Sequence, residues 1–306
     1  MGATAIKATK GKNDMYTIMG ITGQVGAAVA RTLLKDGKKV RGIVRDRAKA
    51  AHWEAQGVDL AVADYQDITA LEAAFRDTEG VFVMCPSNFA PSPGYPEAHQ
   101  VVAGFRQALE AARPPKAVYL SSVGAQHPTG LGPITQLHIL EQEASTLPIP
   151  SAFIRAAWFQ ENFQWDITSA RERGEIVSFL HPLERKFPMV ATEDIGHLAG
   201  KILQQEWIGN RYPEIEGPDR YSFLDAAETF SRLLNHTVSA VTVSREKWAP
   251  LFEQQGTAPD RTAPRIEMLD GFNSGWIDFD PRATEHVRGS HTLEDTFRAL
   301  VEKEAR

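Results

Sequence analysis

Residues 15–47 read MYTIMGITGQVGAAVARTLLKDGKKVRGIVRDR, and this run constrains the fold more than any other stretch of the chain. A short apolar strand (Tyr16–Met19) leads into Gly20, Gly23 and Gly26, and an amphipathic helix follows. A second apolar strand, Val40–Val44, comes next. Strand, glycine turn, helix and strand in this order set an anion over a helix N-terminus, where unpaired N–H groups and the helix dipole favour negative charge. Gly20 permits the tight turn, Gly23 lets the backbone approach a phosphate, and Gly26 allows close helix–strand packing. Thr22, Gln24 and Val25 complete the expected contacts of the turn. A lone glycine triplet is weak, but its flanking strand and helix make it the mark of a bound dinucleotide.

The second strand ends in Arg45, where an acidic residue would hold the 2′-hydroxyl of an adenosine ribose. Arg41, Arg47 and Lys49 lie close by. A guanidinium suits a 2′-phosphate and a carboxylate repels one, so the expected cofactor is NADP, with NADPH preferred over NADH. The plain alternative is that Arg45 is a solvated surface charge.

Strand and helix patterns alternate through the first half. Strands are expected at Val58–Ala63, Val81–Met84, Ala117–Leu120 and Ser151–Arg155, with helices at Ile68–Phe75, Glu97–Ala112 and Ile134–Thr146. The four prolines in 86–96 mark a loop. This alternation predicts an α/β fold: a Rossmann-type, doubly wound parallel sheet with a smaller C-terminal α/β lobe for substrate. The expected division is a disordered tail over 1–14, a nucleotide domain over 15–155 and 188–212, and a lobe over 156–187 and 213–306. In the second half Thr192 reads as an N-cap for Glu193–Gln204. Ser222 and Thr292 open later helices with Asp225 and Asp295 three residues on, Val241–Val243 reads as a strand, and Gly256–Arg265 as a loop.

Ligands of open α/β sheets lie outside the strand carboxyl ends. Asp64, after the third strand, is therefore placed to accept from an adenine amino group. Cys85, Pro86 and Ser87 fall along the adenosine and pyrophosphate, and Ser121 and Ser122 near the nicotinamide. Local capping by Asp and Ser is the competing explanation. Cys85 is the only cysteine, which excludes an internal disulfide and fits a reducing cytoplasm. It reads as a small core residue and not a nucleophile.

A net charge of −6 argues against nucleic acid as a partner. No apolar run approaches the ~18 residues of a membrane span. The nine histidines lack the paired spacing of a metal site, so no metal is expected.

The segments GITGQVG, VRGIVRD, GVFVMCPS, AVYLSSVGA and HILEQEASTLPIPSAFIRAAWFQENF together resemble the NmrA-like branch of atypical short-chain dehydrogenases, and within it the small quinone and dye reductases. The resemblance runs over about residues 15–200 and weakens in the last sixty. The usual Tyr-x-x-x-Lys pair of short-chain dehydrogenases is absent: none of the six tyrosines has a lysine four residues on. The lysine's place falls close to His138, and the resemblance implies a His-x-x-Glu run in its stead, matched by His138 and Glu141. They are the candidate catalytic residues, with His138 also a candidate contact to the nicotinamide ribose; a packed structural histidine is the alternative. The family lines its nicotinamide and substrate pocket after the sixth strand, which here gives Trp158, Phe159, Asn162 and Phe163, with Ser122. These rings would stack on a flat acceptor or else fill a lobe core.

Two functions follow. One is an NADPH-dependent reductase passing hydride to a quinone, azo, imine or enone acceptor, which needs orientation more than a tyrosine acid. The other is a non-catalytic NADP(H)-sensing regulator that binds a protein partner, for which a missing catalytic pair is natural. The expected partners are a small aromatic or quinonoid substrate and, beyond it, a second copy of the chain or a regulatory protein.

Overall fold

The computed structural model describes residues 14–304. The expected tail lies outside the described residues apart from Asp14, whose carboxylate accepts from Lys38 Nζ at 3.0 Å. The first half runs β1 (Met15–Met19), α1 (Gln24–Lys35), β2 (Lys39–Val44), α2 (Ala51–Glu54), β3 (Asp59–Val62), α3 (Ile68–Phe75) and β4 (Gly80–Val83). It continues through α4 (Pro96–Ala112), β5 (Ala117–Ser122), α5 (Thr135–Ala144) and β6 (Ser151–Ala156). Local chemistry accounts for these limits. Asp67 caps α3 by accepting from the Ala70 N–H at 3.0 Å, and Pro96 opens α4 where its missing N–H has no intrahelical role.

The second half begins with β7 (Trp158–Phe159), a 3-10 turn (Gln160–Asp166), α6 (Ile167–Arg173), β8 (Glu175–Ser178), β9 (Phe187–Val190) and α7 (Thr192–Leu203). Three short strands follow, β10 (Asn210–Arg211), β11 (Glu214–Glu216) and β12 (Arg220–Tyr221). Then come α8 (Phe223–Leu234), β13 (Ser239–Thr242), α9 (Trp248–Gln254), α10 (Ala263–Ser274), β14 (His286–Arg288) and α11 (Leu293–Glu304).

The large sheet is parallel in all its pairings, in the order β14-β11-β6-β5-β4-β1-β2-β3, with β10 also beside β6. Chain order reverses between β1 and β4, and that switch point opens the crevice where such sheets take ligands. On one face α1 and α7 bury Val25, Val29, Leu33, Ile195 and Ile202 against Ile18, Val40 and Ile154. On the other, α3, α4 and α5 bury Phe75, Phe105 and Leu140 against Val81, Tyr119 and Phe153. A separate apolar cluster, built around Phe163, Phe230, Trp248, Phe252 and Phe297, holds the lobe together.

Four sequence expectations change here. Glu214–Glu216 and His286–Arg288, drawn with the lobe, are strands of the large sheet, because β11 and β14 extend its edge beyond β6. Thr192 is the first residue of α7, not its cap: Ala191 holds the cap position, and the Thr192 N–H and O–H both turn to Glu161. The expected strand at Val241–Val243 is Ser239–Thr242, set by its parallel pairing with β8. The loop expected over Gly256–Arg265 already contains the start of α10, with Pro264 in its first turn. By contrast, Ser222 and Thr292 each accept from the backbone N–H three residues on, and Asp225 and Asp295 bond back to them.

Candidate active site

The turn after β1 has the geometry of a phosphate cradle. Gly20 stands at φ +67°, and its carbonyl accepts from the Gly23 N–H at 2.8 Å. A Cβ on Gly26 would overlap that same carbonyl, so only glycine lets α1 start so close to β1. Thr22, Gly23 and Gln24 are exposed, and Val25 is buried beneath them. Beside them opens a cleft of about 300 Å³, bounded further by α1, by Thr192 and by Glu161.

At the end of β2 the four basic residues divide. Arg41 is structural: Nε donates to Asp59 at 2.8 Å, and Nη1 donates to the Ala74 and Arg76 carbonyls at 3.0 Å. Arg47 pairs with Glu54. Arg45 and Lys49 are exposed, and among the described residues neither has a hydrogen-bond or ion-pair partner. Asp64 follows β3 and spends Oδ1 on the Gln66 N–H at 3.0 Å, a local turn. Cys85 is half-buried after β4, and desolvation pushes its thiol pKa up to about 12, so it supplies no thiolate near neutral pH. Pro86 and Ser87 beside it are exposed.

The ends of β5 and β6 are built differently. β5 runs on through Ser122, which brings Ser121 inside the sheet, and its hydroxyl donates to Glu141 Oε1 at 2.6 Å. Arg155 donates to both oxygens of Glu141, from Nε at 3.0 Å and from Nη2 at 2.7 Å. Glu141 is 1% exposed, and its carboxylate is committed to these bonds. Ser121 and Glu141, expected at cofactor and catalysis, thus belong to a buried ionic joint. The same register row crosses the sheet from Ser121 through Arg155 and Glu214 to His286. Ser122 donates to the Val123 carbonyl at 3.1 Å.

His138, one helical turn before Glu141, is half-buried, and its Nδ1 lies 2.8 Å from the Ala125 carbonyl oxygen. A carbonyl only accepts, so Nδ1 carries a proton and donates to it, which makes Nε2 the acceptor in the tautomer this bond selects. Tyr119 on β5 is fully buried and stacked on Phe153 at 4.7 Å, and burial raises its pKa far above neutrality. It offers no substitute for the missing tyrosine acid.

The aromatic run after β6 splits as well. Phe163 is 2% exposed and packs on Phe223, Phe230 and Phe297, so it is lobe core and not a pocket wall. Asn162 points to solvent. Trp158 is half-buried with its ring edge-on to Phe272 at 5.1 Å, and Phe159 is half-buried against the sheet core. Two features escaped the sequence reading. His127 stacks on Trp276 at 3.9 Å, joining the β5 loop to the lobe, and burial pushes its pKa down. Arg155 carried a signal that was available, a charged residue within an apolar strand.

This glycine-lined turn on a parallel sheet, at a switch point and facing a lobe, defines a nucleotide-binding α/β protein. The NmrA-like family model matches residues 12–268, and the chain belongs to that family. It is 26% identical over 278 residues to an NAD(P)H azoreductase of Xenophilus azovorans, covering 88% of this chain and 93% of the relative. The NADPH-dependent quinone oxidoreductase of Escherichia coli, solved with NADPH, superposes with a TM-score of 0.77 at 22% identity, over 94% of this chain and 99% of that one. The Citrobacter sp. triphenylmethane reductase, solved with NADP(H), gives 0.76 at 19% identity over the same shares.

Proposed function

We propose that this chain is an NADPH-dependent reductase that passes hydride to a conjugated acceptor of the quinone, azo, imine or enone kind. The observation that carries this reading is the pairing of the Gly20–Gly26 cradle with an unpartnered Arg45 at the end of β2. The cradle fits a pyrophosphate, because a side chain at Gly26 would close it and Gly20 adopts a backbone that other residues resist. Arg45 and Lys49 fit a 2′-phosphate, since their charge is not already spent on the protein. The reductase activity and the acceptor class are supported by the azoreductase and by the quinone and dye reductases named above.

When bound, the reduced nicotinamide supplies the hydride. The protein's part is to bind, orient and exclude water. Turn N–H groups over Thr22–Val25 hold the pyrophosphate, and Pro86 and Ser87 flank the adenosine side. His138, with its Nδ1–H fixed by Ala125, presents Nε2 to a ribose hydroxyl. Glu141 is a positioning residue: through Ser121 and Arg155 it ties α5, and with it His138, to the ends of β5 and β6. Trp158 and Phe159 wall the acceptor. The reduced acceptor takes its proton from water, so the buried Tyr119 need not take part.

The test is NADPH oxidation against a panel of quinones and azo dyes, with NADPH binding followed separately by titration. Turnover with a panel member is expected, at a higher rate with NADPH than with NADH. Tight NADPH binding with no turnover on any acceptor overturns the reductase and leaves a non-catalytic NADP(H) protein.

A further inference from the structure

The cleft beside the glycine turn is shared between the sheet and the lobe. Thr22, Gly23 and Gln24 line it from the turn, and Lys303 lines it from the last turn of α11. Two twelve-residue helices begin at it, α1 behind Gly23 and α7 at Thr192. Among the described residues the Lys303 ammonium has no hydrogen-bond or ion-pair partner, whereas the other cation of the cleft, Arg31, is paired with Glu193. The end of α11 is itself fastened, because Glu304 accepts from Thr168 at 3.1 Å and from Arg171 at 2.9 Å. Lys303 is therefore a free charge on an anchored turn.

Glu161 lines the cleft beside Thr192. Its Oε1 accepts from the Thr192 N–H at 2.8 Å and from the Thr192 hydroxyl at 2.6 Å, and its buried Oε2 has no hydrogen-bond partner among the described residues. Burial raises the pKa of this carboxyl, against the lowering effect of the Thr192 hydrogen bonds.

We propose that Lys303 is the lobe's own contribution to the phosphate site, reaching across the cleft to the pyrophosphate of the dinucleotide held on the Gly20–Gly26 turn. The assignment rests on the cofactor reading above and adds to it. Binding of the pyrophosphate then ties α11 to the nucleotide domain, so the cofactor joins the two halves as well as filling one of them.

The experiment compares the intact wild-type chain with Lys303→Gln and Lys303→Arg, titrating each with NADPH and with adenosine 2′-monophosphate, which has no pyrophosphate. Lys303→Gln is expected to weaken NADPH binding roughly tenfold, the scale of one charge-assisted contact, with Lys303→Arg restoring most of it. Affinity for adenosine 2′-monophosphate should be the same in all three. Equal NADPH affinity in wild type and Lys303→Gln overturns the role of Lys303 and leaves the cofactor reading standing. Equal weakening of both ligands overturns it too, because the effect would not then belong to the pyrophosphate. A wild-type chain that binds no NADPH removes the cofactor reading, and the role of Lys303 with it.

Discussion

The ends of β2 and β5 both carry polar residues at the rim of one parallel sheet, yet they have opposite fates. At the end of β2, Arg45 and Lys49 stand exposed, without partners among the described residues. At the end of β5, Ser121 is buried, and it shares Glu141 with Arg155 in a closed set of charge-assisted bonds. A group already satisfied by the protein has little left to offer a ligand, whereas an unsatisfied one at a crevice has all of its binding capacity. The comparison separates residues left free to bind from residues that hold, although Arg45 and Ser121 both stand at strand ends.

The sharpest way to break the comparison is to open the closed set. Glu141→Ala leaves the largely buried Arg155 with the more distant carboxylate of Glu214, 3.7 Å away, and the Tyr212 ring. Removing one partner of a buried pair costs about 3–5 kcal/mol. Chemical denaturation should show a loss of that order, and NADPH affinity measured on the remaining folded protein should stay within about twofold. A neutral effect on stability with a large loss of affinity would return Glu141 to the binding class.

The free set is tested by charge reversal. Arg45→Glu removes a guanidinium and places a carboxylate where a ribose 2′-hydroxyl or 2′-phosphate would lie. The ratio of NADPH to NADH dissociation constants should move toward NADH by on the order of 100-fold, with thermal stability unchanged. An unchanged ratio would show that Arg45 is solvated surface and that the 2′-phosphate site lies elsewhere.

How far the two regions could be read from sequence follows from the same distinction. The cradle was legible because backbone geometry demands glycine at Gly20 and Gly26 whatever the tertiary surroundings. Arg45 was legible because its position depends only on where β2 ends. The joint was not, because Glu141 and Arg155 meet across a helix and a strand, and local pattern carries no record of that pairing. Phe163 misled for a related reason: an aromatic after a strand end fits pocket or core equally, and here three phenylalanines from α8 and α11 enclose it. β11 and β14, three residues each, are too short for any periodicity to announce them.

Asp166 in the lobe sharpens the comparison, since it is a largely desolvated carboxyl with far fewer bonds than Glu141. Among the described residues it accepts only from the Val177 N–H, at 3.3 Å, and burial raises its pKa from 3.8 to about 6. Between those values the folded state binds more protons than the unfolded state, so stability should fall as pH rises from about 4 to about 6. Asp166→Asn should remove that slope and stabilise the protein above pH 6 by about 1–2 kcal/mol, after allowance for the water that reaches the carboxyl. Parallel wild-type and variant melting curves across this range would show that Asp166 is solvated in the folded state.

His138 lies between the two classes and gives the finest test of the distinction. One nitrogen is spent on the Ala125 carbonyl, as in the joint, and the other is left as an acceptor, as at the rim. If the free nitrogen holds a ribose hydroxyl, His138→Ala should slow turnover about tenfold, near 1.4 kcal/mol of barrier, while NADPH affinity changes by less than about threefold. His138→Asn, which can keep a donor toward Ala125 but places no acceptor where Nε2 stands, should be slowed to the same degree. Full turnover in the asparagine variant, with a loss only in alanine, would mean that the bond to Ala125 is what matters. His138 would then join Glu141 among the residues that hold the β5 end in place.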